Sequence, residues 1–155
     1  LLAKVFDWAR STGPSQPLTA GIWEYDRNLT PVENEFSSFA IAESDIISFH
    51  HYGPGNDLAT IINGLQQYQR PLICTEWLAR SEGSTVENLQ IFSDQKVGAI
   101  NWGLVDGKTQ TRFPWRSWWE EVDENEPWFH ELLHADGTPY SEREASTFQH
   151  ITEQH

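Results

Sequence analysis

The side chains in this chain that could do chemistry cluster at the ends of short apolar runs. Leu72-Ile73-Cys74-Thr75 runs into Glu76 and Trp77, and Asp45-Ile46-Ile47-Ser48-Phe49 runs into His50, His51 and Tyr52. Leu18-Thr19-Ala20-Gly21-Ile22 leads to Trp23, Glu24 and Tyr25, and Val97-Gly98-Ala99-Ile100 leads to Asn101 and Trp102. Runs of this kind suit buried parallel strands, and Pro71 is acceptable at the first position of one. A carboxylate at a strand end is expensive to bury without a partner. In an α/β barrel the carboxyl ends of the strands are also where the active site lies. One carboxylate, imidazoles, a phenol and several indoles facing one cleft suit the stabilisation of an oxocarbenium-like transition state and the binding of a sugar. Glu76 is therefore the candidate catalytic carboxylate. Side chains alternate along a strand, so His51 points away from His50 and Tyr52 if the segment stays extended. For that reason His50 is preferred as the site histidine, and the adjacent pair makes a poor set of metal ligands.

The elements that must position these residues alternate. Leu1 to Ser11 has apolar residues at helical spacing and is stopped by Thr12-Gly13-Pro14-Ser15. Helix faces follow at Phe36, Phe39, Ala40 and Ile41, at Leu58, Ile61, Ile62, Leu65 and Tyr68, and at Val86, Leu89, Ile91 and Phe92, the last capped by Ser84 or Thr85. The expected strands begin at Leu18, Asp45, Leu72 and Val97. That interval is close to the about 30 residues per unit of a complete (β/α)8 barrel. The alternation predicts a parallel sheet, and no Gly-rich phosphate loop joins a strand to a helix. After Trp102 the pattern gives way to polar loops and an acidic run from Glu120 to Glu126. Ser141 and Glu144 then form a capping box for a last helix, 142–152. The whole chain, 1–155, reads as one domain.

Composition narrows the function classes. A net charge of −13 over 155 residues argues against a nucleic-acid partner. No apolar run approaches the about 20 residues of a membrane span. A single cysteine, Cys74, excludes an internal disulfide framework; at mid-strand it is expected to be buried and inert. Eight Trp, with four Tyr and eight Phe, exceed what a small core needs and fit indole stacking on pyranose rings.

His50-x-Tyr52, Thr75-Glu76-Trp77 and Asn101-Trp102-Gly103, in this order on successive strands, resemble the second half of a clan A glycoside hydrolase. The resemblance is to the family 5 cellulase-like enzymes, and it covers nearly the whole chain. The tail, with Glu126-Pro127-Trp128-Phe129-His130 and Asp136-Gly137-Thr138-Pro139-Tyr140, also resembles bacterial members of that group. The resemblance implies the C-terminal half of a TIM barrel, strands 5 to 8 with their helices, and a retaining hydrolase of β-linked polysaccharide or oligosaccharide. It implies that Glu76 is the nucleophile, that Tyr52 positions it, and that His50 contacts substrate or the catalytic carboxylates. Trp102 would floor the subsite of the bond-breaking sugar, with Trp23, Trp77 and Asn101 as further substrate-binding residues. No cofactor or metal is expected, and an extracellular or periplasmic location is implied.

A retaining glycosidase needs a second carboxyl group about 5 to 5.5 Å from the first. In the resembled enzymes it is the Glu of an Asn-Glu pair ending strand 4, which is expected upstream of Leu1. Asn34-Glu35 spells the pair but falls at a helix start, and Glu24 lies one strand too late. The chain is thus expected to be inactive alone and to need its missing N-terminal half-barrel or self-association, because half a barrel leaves open sheet edges. The alternative from another class is a carbohydrate-binding protein that uses its Trp-rich cleft without hydrolysis.

Overall fold

The computed structural model describes residues 1–153 as a mixed α/β unit. Helix α1 (Leu2–Ser11) and helix α2 (Glu35–Glu43) precede strand β1 (Ile47–His50). Helix α3 (Gly55–Gln66), strand β2 (Leu72–Glu76), helix α4 (Asn88–Asp94) and strand β3 (Gly98–Ala99) follow in alternation, and α5 (Glu142–Thr152) closes the chain. Single 3-10 turns lie at Arg80–Glu82 and Trp115–Trp118. The three strands are parallel and lie in chain order, β1-β2-β3, so β2 is paired on both sides.

Of the four expected strands, the first does not form as a strand and the last is shorter than its apolar run. The segment from Leu18 to Trp23 touches the sheet through one parallel bridge, Ile22 to Phe49. Two of its other amides go to side chains: Leu18 N donates to Asp45 Oδ2 and Ala20 N to Ser44 Oγ. β3 is two residues long and exposed on its outer edge, although Ile100 N still reaches Cys74 O at 2.8 Å. The helix caps also differ in part. Asn34 caps α2 by accepting from Ser37 N, as its place at a helix start implies. Ser84 does not cap α4, which starts at Asn88; its hydroxyl instead accepts from Leu78 N and Asn88 Nδ2. Ser141 accepts from Glu144 N at the head of α5, while the Glu144 carboxylate turns to Arg80.

The core forms on one face of the sheet. Ile47 and Phe49 of β1 and Leu72 and Cys74 of β2 are buried there. They meet Leu58, Ile61, Ile62 and Leu65 of α3, which recur at helical spacing, and Leu89 and Phe92 of α4. The opposite face carries Ser48, His50 and Ile73 and is more polar; Thr19 and Ser48 share a hydroxyl hydrogen bond on it at 2.7 Å.

The long tail is pinned by one cation. The Arg80 side chain is 7% exposed and makes a two-armed ion pair with Glu144, at 3.0 and 2.5 Å. It also donates to the carbonyls of Trp128 and Glu131, at 2.7 and 3.0 Å, and lies over the Tyr140 ring. Planar guanidinium geometry suits such a fork, and an ammonium does not reproduce it. Arg80→Ala leaves a half-buried carboxylate and two carbonyls without their donor. It is expected to cost about 3–5 kcal/mol, with Arg80→Lys recovering only part, as read from denaturant midpoints. An Arg80→Ala midpoint equal to that of the parent would show that the tail is held by other contacts.

Candidate active site

The two pairing strands do not stay in step to their ends. Ile47, Ser48 and Phe49 pair with Leu72, Ile73 and Cys74, but His50 pairs with Glu76, and Thr75 is left as the extra residue. In an unbroken β2, Glu76 would share the face of Leu72 and Cys74 and aim into the core. The register shift moves it to the face of His50. Irregularities of this kind re-aim side chains and are common beside active sites.

Once re-aimed, Glu76 is held from two directions. Tyr52 Oη donates to Glu76 Oε2 at 2.7 Å, and His50 Nδ1 lies 3.4 Å from the same oxygen. The His50 and Glu76 side chains are 22% and 24% exposed. A cavity of about 500 Å³ opens above them, lined by Trp23, Tyr25, His50, His51, Tyr52, Glu76 and Trp115. Glu76 is the one carboxylate among those lining residues. The Cys74 thiol backs the strand end by donating to Glu76 O at 3.3 Å; burial pushes its pKa up to about 12, so it stays a thiol.

Electrostatics fix the protonation of the partners. Burial lowers the His50 pKa from its ordinary 6.5, and the Glu76 charge opposes that fall. Burial, followed by the hydrogen bond to Glu76, raises the Tyr52 pKa well above the ordinary phenol range. Tyr52 therefore remains a donor to the carboxylate. Tyr25, also raised by burial, donates to His50 O at 3.2 Å and fixes the backbone from which His50 projects. Room for the imidazole comes from Gly21, where a Cβ would stand 3.1 Å from His50 Nε2.

The sequence-derived site residues divide into two groups. Glu76, Tyr52, His50 and Trp23 come together, with Trp23 stacked at 24° on the His50 ring. His51 lines the same cavity, set edge-on to Tyr25, although strand alternation placed it elsewhere; the strand ends at His50 and the alternation ends with it. Trp77, Trp102 and Asn101 do not line this cavity. Trp77 is 1% exposed, packs on Phe92 and Phe148, and belongs to the core. Trp102 follows a strand that has already ended at Ala99; it is 53% exposed and does not line the cavity. The Asn101 amide folds back onto Gly103 O.

The second indole at the cavity, beside Trp23, is Trp115. Its ring meets Tyr52 edge-on at 5.0 Å and Phe129 at 4.8 Å. Phe129 and His130 are buried in the segment that Arg80 grips, so the tail clamp also seats Trp115. Pro114 leads into a 3-10 turn with the indole as its first residue.

Glu24 and Asn34 lie outside this cavity and line an adjoining one. Among the described residues, no group of three or more His, Cys, Asp or Glu is arranged to hold a metal ion. No described helix is long and apolar enough to cross a membrane. No family model matches the chain, and no curated protein is significantly similar to it.

The opposing effects on His50 give a signed prediction. Removing the carboxylate charge in Glu76→Gln leaves burial unopposed, so the imidazole pKa moves further below 6.5. An NMR titration of the His50 ring reads this directly, and a rise in Glu76→Gln would contradict the geometry. The neutral ring also sets the sign of linkage. The stability His50 contributes is present above 6.5 and is lost as pH falls through its lower folded value.

Proposed function

We propose that this chain is the C-terminal half of a (β/α)8 barrel from a retaining glycoside hydrolase acting on β-linked glycans. One observation carries the reading. Glu76 is turned by the register shift at Thr75 onto the face of His50, at the carboxyl end of the central parallel strand, and is held there by Tyr52. Carboxylates placed at strand ends, oriented by a neutral donor and faced by indoles, suit attack on an anomeric carbon. Parallel strands in chain order, without the reversal of a doubly wound sheet, also fit a barrel segment.

The roles follow from the geometry. Glu76 Oε2 carries the Tyr52 donor, which leaves Oε1 as the attacking oxygen. Trp23 and Trp115 offer ring faces to the sugar, and His50, neutral at its lowered pKa, offers a hydrogen bond to a hydroxyl. The acid/base carboxylate comes from outside this cavity's lining. Assembly with the rest of the barrel is what supplies it.

In the assembled enzyme, Glu76→Ala lowers turnover of a β-glycan by about four orders of magnitude or more. Azide restores it by taking the vacated place and giving a glycosyl azide of inverted configuration. Turnover unchanged in Glu76→Ala would remove the nucleophile assignment. Saccharide binding with no turnover in the assembled protein would favour the non-catalytic binding reading, which the single carboxylate in the cavity also fits.

A further inference from the structure

Tyr52 is the donor that orients Glu76, and it stands two residues past the end of β1, beyond the ladder. Its ring is held by other rings. Tyr52 lies 5.0 Å from Trp115 and 5.5 Å from His130, and those two lie 5.9 Å apart, so the three form a closed triangle. Tyr52 and Trp115 reach the cavity lining; His130 does not, and at 1% exposure it touches no substrate.

His130 is mounted on the chain that carries Glu76. Its Nδ1 lies 2.5 Å from Leu78 O, two residues beyond Glu76. A carbonyl only accepts, so Nδ1 carries the proton. Leu78 is itself in a conformation that bulky residues avoid, with φ at +70°. Both of its backbone groups are engaged there: its N–H donates to Ser84 Oγ at 3.2 Å, and its carbonyl accepts from His130. Conformations of this kind persist where the surroundings over-determine them, and they gather at functional sites. The imidazole residue is also wedged by the chain. A Cβ on Gly103 would stand 2.8 Å from His130 Cβ, and Arg80 holds the flanking carbonyls of Trp128 and Glu131.

We propose that His130 is a positioning residue: it ties the Tyr52 ring to the backbone that follows Glu76, and so sets phenol donor and carboxylate acceptor in one geometry. It is joined to both sides of the Tyr52–Glu76 bond, to the donor by ring packing and to the acceptor's chain by a hydrogen bond. The tail beyond the last strand is then part of the catalytic apparatus as well as a cover for the core. What His130 does for turnover rests on the glycoside hydrolase reading; what it does for the Tyr52–Glu76 bond does not.

The test uses two variants of the assembled protein. His130→Asn keeps an N–H for Leu78 O and loses the ring; His130→Phe keeps a ring and loses the N–H. The first readout is the NMR resonance of the Tyr52 ring carbon that bears the hydroxyl, which moves when Glu76→Ala removes the acceptor. That displacement is expected to shrink in both His130 variants, because the bond it reports is already loosened. Shrinkage in one of them assigns the work to the arm which that variant removes. Taking the displacement within one background cancels the direct effect of the imidazole on the resonance. The second readout is a double-mutant cycle on turnover. With Tyr52 in place, His130→Asn lowers kcat by about tenfold or more and leaves KM little changed, since misplacement by about 1 Å costs on the order of 10²-fold. In Tyr52→Phe, which has no such bond to misplace, the same substitution costs little more. A displacement equal to that of wild type in both variants overturns the proposal. So does a kcat loss of the same factor with and without the Tyr52 hydroxyl, the mark of a merely structural role. If the assembled wild type turns over no β-glycan, the hydrolase reading fails and the resonance alone decides the role of His130.

Discussion

The site depends on one extra residue in a strand. Leu72, Cys74 and Glu76 have the same parity, and two of the three are packed in the core. An ionised carboxylate in that core is costly without a partner. Thr75 breaks the parity, and Glu76 emerges on the opposite face, against a phenol and an imidazole. A single backbone irregularity thus makes a core strand and a cavity-facing carboxylate compatible within five residues.

Everything around that strand end acts to hold it still. β2 is paired on both sides, so its backbone is the most constrained in the sheet. α3 and α4 seal the core face, and the Cys74 thiol closes the last turn of the strand onto Glu76 O. The loops are less regular, and they are fixed by side chains in place of ladders. Asp45 and Ser44 hold the segment that carries Trp23, and Arg80 holds the one that seats Trp115. The two cavity walls are therefore positioned independently of each other, one from each end of the chain. The imidazole and the carboxylate sit at the ends of β1 and β2, and the phenol is bonded to the carboxylate.

Much of this arrangement was legible in the sequence because it is periodic. The apolar runs ending at Phe49 and Thr75, and the Leu58–Leu65 stripe, report burial, and burial determined strands and helix. The meeting of Glu76, His50 and Tyr52 was legible because all three follow the ends of neighbouring apolar runs. Register shifts leave no such trace: nothing in Leu-Ile-Cys-Thr-Glu marks Thr75 as the unpaired residue. Trp77 and Trp102 look alike in sequence, yet one packs under α4 and α5 and the other lies in solvent beyond a truncated strand. Trp115 was hidden for the opposite reason. Its place depends on long-range contacts with Tyr52 and Phe129, which local pattern does not encode.

Attack by Glu76 on an anomeric carbon can be tested in the assembled enzyme independently of the acid/base carboxylate, because a good leaving group needs no protonation. An activated aryl glycoside fluorinated at C2 reacts with a carboxylate nucleophile by forming a glycosyl ester as the aryloxide departs with the bonding electron pair. The fluorine then slows hydrolysis of the ester enough for mass spectrometry to locate it. The expected result is one glycosyl adduct, on the peptide containing Glu76, absent from Glu76→Gln. An adduct on another carboxylate, or none across the gluco-, xylo- and manno-configured reagents, would contradict it.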